Sequence, residues 1–151
     1  MTITRETPYG AFNFLVSIDG IGDPGEPVAG FSEVAGLGVE IDVVEYRNGN
    51  DVRTAPRKLP GLHRPRNVTL KRGLVGDLAV FNWMRDVLRG DAAARRTVTI
   101  TMLDEGRAAS VISFRLINAW PCAWNGPTLS GKGGEVAMES VELCCEALDI
   151  E

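Results

Sequence analysis

Residues Gly126 to Lys132 match the first seven places of a phosphate-binding loop, in which backbone amides cradle phosphates and a lysine reaches the outer ones. The eighth place breaks the match. Gly133 stands where a Ser or Thr hydroxyl would hold magnesium, and Pro127 removes one amide from the cradle. Leu103, Asp104 and Glu105 imitate a metal-binding acidic strand end, but they precede the loop and sit in a turn sequence. A plain strand-to-strand connection accounts for 126–132 better than nucleotide binding does. Cys122, Cys144, Cys145 and His63 match a three-cysteine, one-histidine zinc site by count alone. Cys144 and Cys145 are adjacent, so on a strand their side chains leave opposite faces and cannot share one tetrahedral ion. One of the two is expected in the core. His63, the only histidine, falls in a basic segment where a solvent-facing or contact role fits better than catalysis. Glu40 with Asp42, and Glu139 with Glu142, are the carboxylate pairs. Acid–base work would require a pocket that raises one member's pKa, and a solvated strand face is the simpler expectation. No catalytic residue, cofactor or metal site is assigned. The basic run Arg57, Lys58, Arg64, Arg66 lacks interleaved aromatics on which bases could stack. It reads as an arm meeting carboxylates on a neighbouring copy, or else as a solvated loop.

The totals bound what could position these residues. A chain of 151 residues with 44% hydrophobic content is the size of one compact domain. That domain is expected to span 1–151 and to bury about 70% of its unfolded surface. An odd number of cysteines argues against a disulfide scaffold and for a reducing cytosol. A formal net charge of −4 argues against wrapping nucleic acid. The segment Met1 to Gly10 has no signal-peptide pattern, and no stretch reaches the ~18–20 apolar residues of a membrane span, so stable membrane insertion is not expected.

Phe12, Phe14, Val16 and Ile18 alternate with polar or smaller neighbours and predict a strand with that row inward. Gly20, Gly22, Pro24, Gly25 and Pro27 predict a loop, and Phe31 to Leu37 a short extended segment. In the next strand Val39, Ile41 and Val43 form an apolar face. Glu40 and Asp42 form a carboxylate face that is wet or lines a polar channel. From 47 to 66 the period is lost to Gly49, Pro56, Pro60, Gly61 and Pro65, which predicts an irregular extended arm. Asn67 to Arg72 reads as a strand. A helix follows over about 77–89, with Asp77 as N-cap, Phe81, Met84 and Leu88 on its apolar face and Gly90 at its end. Val98 to Met102 and Ile112 to Leu116 spell a β-hairpin, Trp120 to Trp124 continues extended, and Glu135 to Leu148 predicts a strand bulged near Glu139. The fold class is therefore mainly β: a two-sheet β-barrel or sandwich with one flanking α-helix.

The order of segments resembles the tail tube proteins of contractile phage tails and phage-tail-like contractile injection systems. The resemblance rests on PYGAFNFLVSIDG at Pro8 to Gly20, GFSEVAGLGVEIDVVEYRNG at Gly30 to Gly49 and RKLPGLHRPRNVTLKRGL at Arg57 to Leu74. It continues in FNWMRDV at Phe81 to Val87, RRTVTITMLDEG at Arg95 to Gly106 and FRLINAWPCAWNGPTLSGKGGEVAMESVEL at Phe114 to Leu143. What it implies is a barrel like that of the type VI secretion ring protein, six copies closing into a ring, and rings stacking into a tube with a channel. The implied arm reaches neighbouring subunits, so Tyr46, Arg47, Asn48, Arg57, Lys58, Leu59, Pro60 and Leu62 become the expected inter-subunit contacts. The implied partners are further copies of the chain, a contractile sheath, a baseplate or tube initiator, and an effector, tape-measure protein or DNA in the lumen. Assembly is expected to begin in the bacterial cytoplasm, with release by lysis. Two rival readings remain: the type VI ring protein itself, and, from another class, a small β-barrel ligand-binding module or enzyme.

Overall fold

The computed structural model describes residues 4–22, 27 and 30–151, so Pro24 and Gly25 of the first loop and the start of the N-terminal segment fall outside it. In chain order the described strands are β1 (Phe14–Ile18), β2 (Glu33–Ala35), β3 (Val39–Tyr46), β4 (Arg57–Pro65), β5 (Val68–Gly73), β6 (Arg96–Leu103), β7 (Ser110–Asn125), β8 (Met138–Cys144) and β9 (Ala147–Ile150). The α-helix α1 (Ala79–Leu88) lies between β5 and β6.

Strand β7 is long enough to serve two layers. Its first half pairs with β6 and β9, and its second half with β8, all antiparallel. Asn118, at φ 52, lies between the two halves in the left-handed region that asparagine tolerates better than most side chains. The first layer is completed by β1 on β6, with Val16 opposite Ile100 and Ile18 opposite Val98. In the second, β8 pairs with β5 and β5 with β2. Val16, Ile18, Val98, Ile100 and Leu116 from one layer meet Val68, Leu70, Val141 and Leu143 from the other in a single core. This is the expected two-sheet architecture. β1 and β2 end the path of paired strands, and among the described residues each keeps one edge unpaired within the subunit.

Several expectations shift by one or two residues, each for a local reason. The apolar row of β1 starts at Phe14, leaving Phe12 exposed. The buried stripe of α1 is Val80 and Trp83 with Val87 packed beside them, one residue earlier than 81, 84 and 88, and this leaves Leu88 exposed. The Trp83 indole Nε1 donates to the Ala94 carbonyl, while Phe81 meets Trp124 edge-on, with ring centroids 5.1 Å apart. Leu78, not Asp77, occupies the N-cap position; Asp77 Oδ1 still accepts from the Ala79 amide at 3.0 Å. Gly90 takes φ 79 at the helix end, as expected. Strand β8 is unbroken from Met138 to Cys144, and the bulge lies instead in β7, between the Pro121–Leu143 and Ala123–Glu142 pairs. Glu139 points into the core because Arg72 stands directly opposite and supplies its countercharge.

Where the chain leaves β2 for β3, Gly36 adopts φ 93, and a Cβ there would fall 2.2 Å from the Asn67 carbonyl oxygen. Both the conformation and the close backbone approach require glycine. Gly36→Ala should lower stability by about 2 kcal/mol, about 4–8 °C in Tm by thermal unfolding. Unchanged melting would show that the kink relaxes freely.

Candidate assembly surface

β2 leads into β3 and β4 leads into β5, so the four strands form one long bent hairpin. Its base, β2 on β5, belongs to the body of the subunit. Its outer part, β3 on β4, is a separate two-stranded sheet that projects beyond the kink at Gly36. The expected irregular arm is therefore partly regular, since 57–65 is strand. Pro60, Gly61 and Pro65 mask the pattern in the sequence, and the strand tolerates them because a register shift opposite Asp42 absorbs Gly61 and Leu62, while β4 has a partner on one side only.

Every residue of β3 is exposed, and so is every residue of β4 except the half-buried Pro65. The apolar face expected at Val39, Ile41 and Val43 is therefore exposed in the free subunit. Paired residues of an antiparallel sheet share a face. Val39 opposite Pro65, Ile41 opposite His63 and Val43 opposite Pro60 therefore make an apolar row that the other described residues leave exposed. Ile41 is 57% exposed, Val43 64% and Leu62 81%. His63 thus sits exposed on this face, opposite Ile41.

The other face is charged. Arg64 Nη2 holds both oxygens of Asp42, at 2.6 and 2.7 Å, and Arg66 reaches Glu40 Oε1 at 2.6 Å through Nη2 and 2.9 Å through Nε. The hydrogen bond and charge of Asp42 raise the Arg64 pKa above its ordinary value. On this face each carboxylate is neutralised within the subunit, Asp42 by Arg64 and Glu40 by Arg66.

The expected contact residues divide by role. Tyr46, Arg47 and Asn48 fold the tip: Arg47 donates from Nε to the Arg53 carbonyl at 2.9 Å and from Nη2 to the Asp51 carbonyl at 3.0 Å. The Asn48 amide donates to Asp51 Oδ2 at 2.9 Å, and the Tyr46 hydroxyl donates to Asn48 Oδ1. Arg57, Lys58, Leu59 and Pro60 instead line β4 opposite Tyr46, Glu45, Val44 and Val43. Among the described residues, neither Arg57 nor Lys58 forms an ion pair within the subunit, whereas Arg64 and Arg66 do.

The chemical look-alikes of the sequence are dispersed. Residues 126–137 connect β7 to β8, and no helix follows Lys132 to present its N-terminus to a phosphate. Glu139 and Glu142 point to opposite faces of β8, one buried and one not. Cys144 and Cys145 likewise diverge, and Cys145 packs against the core.

The family model for the T4-like virus tail tube protein gp19 matches residues 10–149. Among solved structures, the chain is similar to one from the PVC sheath–tube complex of an extracellular contractile injection system in its extended state. The identity is 22%, the TM-score 0.83, and the match covers 97% of this chain and 93% of that one. It is equally similar to one from the anti-feeding prophage cap, the AFP tube terminating cap, at 24% identity and TM-score 0.83, covering 100% and 95%. Hcp1 from Flavobacterium johnsoniae is more distant, at 11% identity and TM-score 0.54, covering 91% and 93%. These likenesses establish the fold. No curated protein sequence matches the chain. With an arm exposed on both faces and a family match running nearly end to end, the chain belongs to the T4-like virus tail tube protein gp19 family.

Proposed function

We infer that the chain is the repeating, non-catalytic subunit of the inner tube of a contractile tail or injection system, with residues 1–151 acting as one tube domain. The observation that carries this reading is the arm. An isolated two-stranded sheet is marginal in water, and a row of exposed Val, Ile and Pro side chains is a surface awaiting a partner. A contact between one copy's arm and a different surface of the next does not close on itself, and it propagates a stack. The unpaired edges of β1 and β2 offer further ladders for a neighbour to complete. Six copies close a ring around a channel, and Glu40 and Asp42 with their arginines form a polar wall toward water. The solved relatives come from a sheath–tube complex, a tube terminating cap and a baseplate. Their settings support a sheath outside the tube and a baseplate or initiator below it; an effector, tape-measure protein or DNA is the cargo this reading places within. Synthesis and assembly take place in the cytoplasm, and the finished particle leaves the cell by lysis. A type VI ring-protein role draws only on the weaker likeness to Hcp1. In a barrel holding a ligand, polar groups converge on the pocket. The apolar opening of about 290 Å³ beside Phe14, Val34, Met102 and Phe114 offers Ser32 and Glu33, and Glu33 is engaged by Lys71 at 3.2 Å.

The test is a double charge reversal. Arg57→Glu with Lys58→Glu removes two cations that form no ion pair among the described residues and places like charge against any acidic patch they meet. The expected result is a folded subunit, with circular dichroism unchanged, that no longer stacks under the electron microscope. Normal tubes from the double variant would refute this placement of the contact.

A further inference from the structure

The face of β8 turned away from the core carries a side-chain cluster separate from the arm. Glu139, Val141 and Leu143 point inward, so Ser140, Glu142 and Cys144 point outward. From the β5 side, Asn67 Nδ2 donates to Glu142 Oε1 at 2.8 Å and lies 3.9 Å from Cys122 Sγ. Cys122 arrives from the opposite flank of β8, as the extra residue of the β7 bulge, and a bulge re-aims the side chain it carries. Its Sγ lies 3.4 Å from the Glu142 carbonyl oxygen. Asn67 and Cys122 come from strands on either side of β8, so they meet only by reaching over it. The outward residues at that level are Glu142 and Cys144, whose Sγ lies 3.8 Å from the Trp120 carbonyl oxygen. Two half-buried free thiols are thereby brought together across one strand pair. Cys145 is on the other face and takes no part.

We propose that Cys122 and Cys144 are a redox modification site, closing a cross-strand disulfide when the protein meets a low-molecular-weight disulfide in an oxidising medium. One thiolate attacks oxidised glutathione and releases one glutathione thiolate. The second cysteine gives up its proton to solvent, attacks the mixed disulfide and releases the other glutathione. Two S–H bonds are lost, one S–S bond forms, and the oxidant's disulfide is reduced to two thiols. Meeting such a medium outside the cell rests on the tube reading; the bond itself rests on the cluster. Burial first, and then the adjacent Cys122, push the Cys144 thiol up to about 11. The carboxylate on this face, Glu142, is engaged by Asn67. Because the thiolate is the attacking species, exchange is slow at neutral pH. The pair stays reduced during assembly and oxidises afterwards, tying β7 to β8.

The experiment incubates purified subunit with oxidised glutathione at mildly alkaline pH, alkylates the remaining thiols with iodoacetamide, and maps peptides without reductant by mass spectrometry. The expected product is a peptide pair joined through Cys122 and Cys144, with Cys145 alkylated. The joined pair should persist in Cys145→Ser and disappear in Cys122→Ser and in Cys144→Ser. Alkylation of all three thiols, stable glutathione adducts, or a bond involving Cys145 would overturn the proposal. A disulfide found in a subunit that never forms tubes leaves this site standing and removes the tube reading instead.

Discussion

Glu139→Ala should destabilise the subunit by about 3–5 kcal/mol, enough to leave much of it unfolded near physiological temperature. Arg72 is 2% exposed and Glu139 6%, and they face each other across β5 and β8 with an Nε–Oε1 hydrogen bond. The guanidinium is held further by the Asp77 carbonyl, at 2.9 Å from Nη2, while Nη1 lies 3.5 Å from Asp77 Oδ2 without completing a hydrogen bond. Removing the Glu139 carboxylate leaves a buried cation whose remaining partner, Asp77, sits at the exposed margin. The converse double change, Arg72→Met with Glu139→Leu, removes both charges and should fall within about 1–2 kcal/mol of wild type. Chemical denaturation of the two single and the double variants measures this directly. A single variant costing no more than an exposed ion pair would show that water reaches the site.

Aspartate at both Ile41 and Val43 should abolish tube formation while leaving the isolated subunit folded. In the free subunit both side chains are more than half exposed, so introducing charge there costs the fold little. Covered by a neighbouring copy, each aliphatic side chain is worth about 1.5–3 kcal/mol, so losing one raises the concentration needed for polymerisation about tenfold or more. The loss recurs at every subunit of every ring. Ultracentrifugation should find soluble single subunits with a Tm within a few degrees of wild type. Pelleting tubes from the double variant would place the apolar row outside the interface.

How far the sequence could be read depends on whether the pattern or its surroundings decide the outcome. Alternation at Val98 to Met102 and Ile112 to Leu116 sufficed to find β6 and β7, because both faces of those strands are set within the subunit. The same alternation at Val39 to Val43 identified β3 and its apolar row. It could not say what covers that row, since periodicity records only that a face is apolar. Strand β4 was hidden by Pro60, Gly61 and Pro65, which suit an arm with a single partner strand. The buried place of Glu139 depends on Arg72, 67 residues away, and no local window contains both. Arg57, Lys58, Leu59, Pro60 and Leu62 stand exposed on β4. Tyr46, Arg47 and Asn48 are committed to shaping the arm's tip, a role set by carbonyls of Asp51 and Arg53 that only the folded loop presents. The meeting of Cys122 with Cys144 depends on a bulge whose position the sequence did not reveal.

Cryo-electron microscopy of material assembled from the purified chain shows whether the arm builds a tube. Hexameric rings stacked into a hollow tube are expected, with Ile41, Val43 and Leu62 of each copy buried against a neighbour. Single subunits at high concentration, or rings whose arms project into solvent untouched, would contradict that expectation.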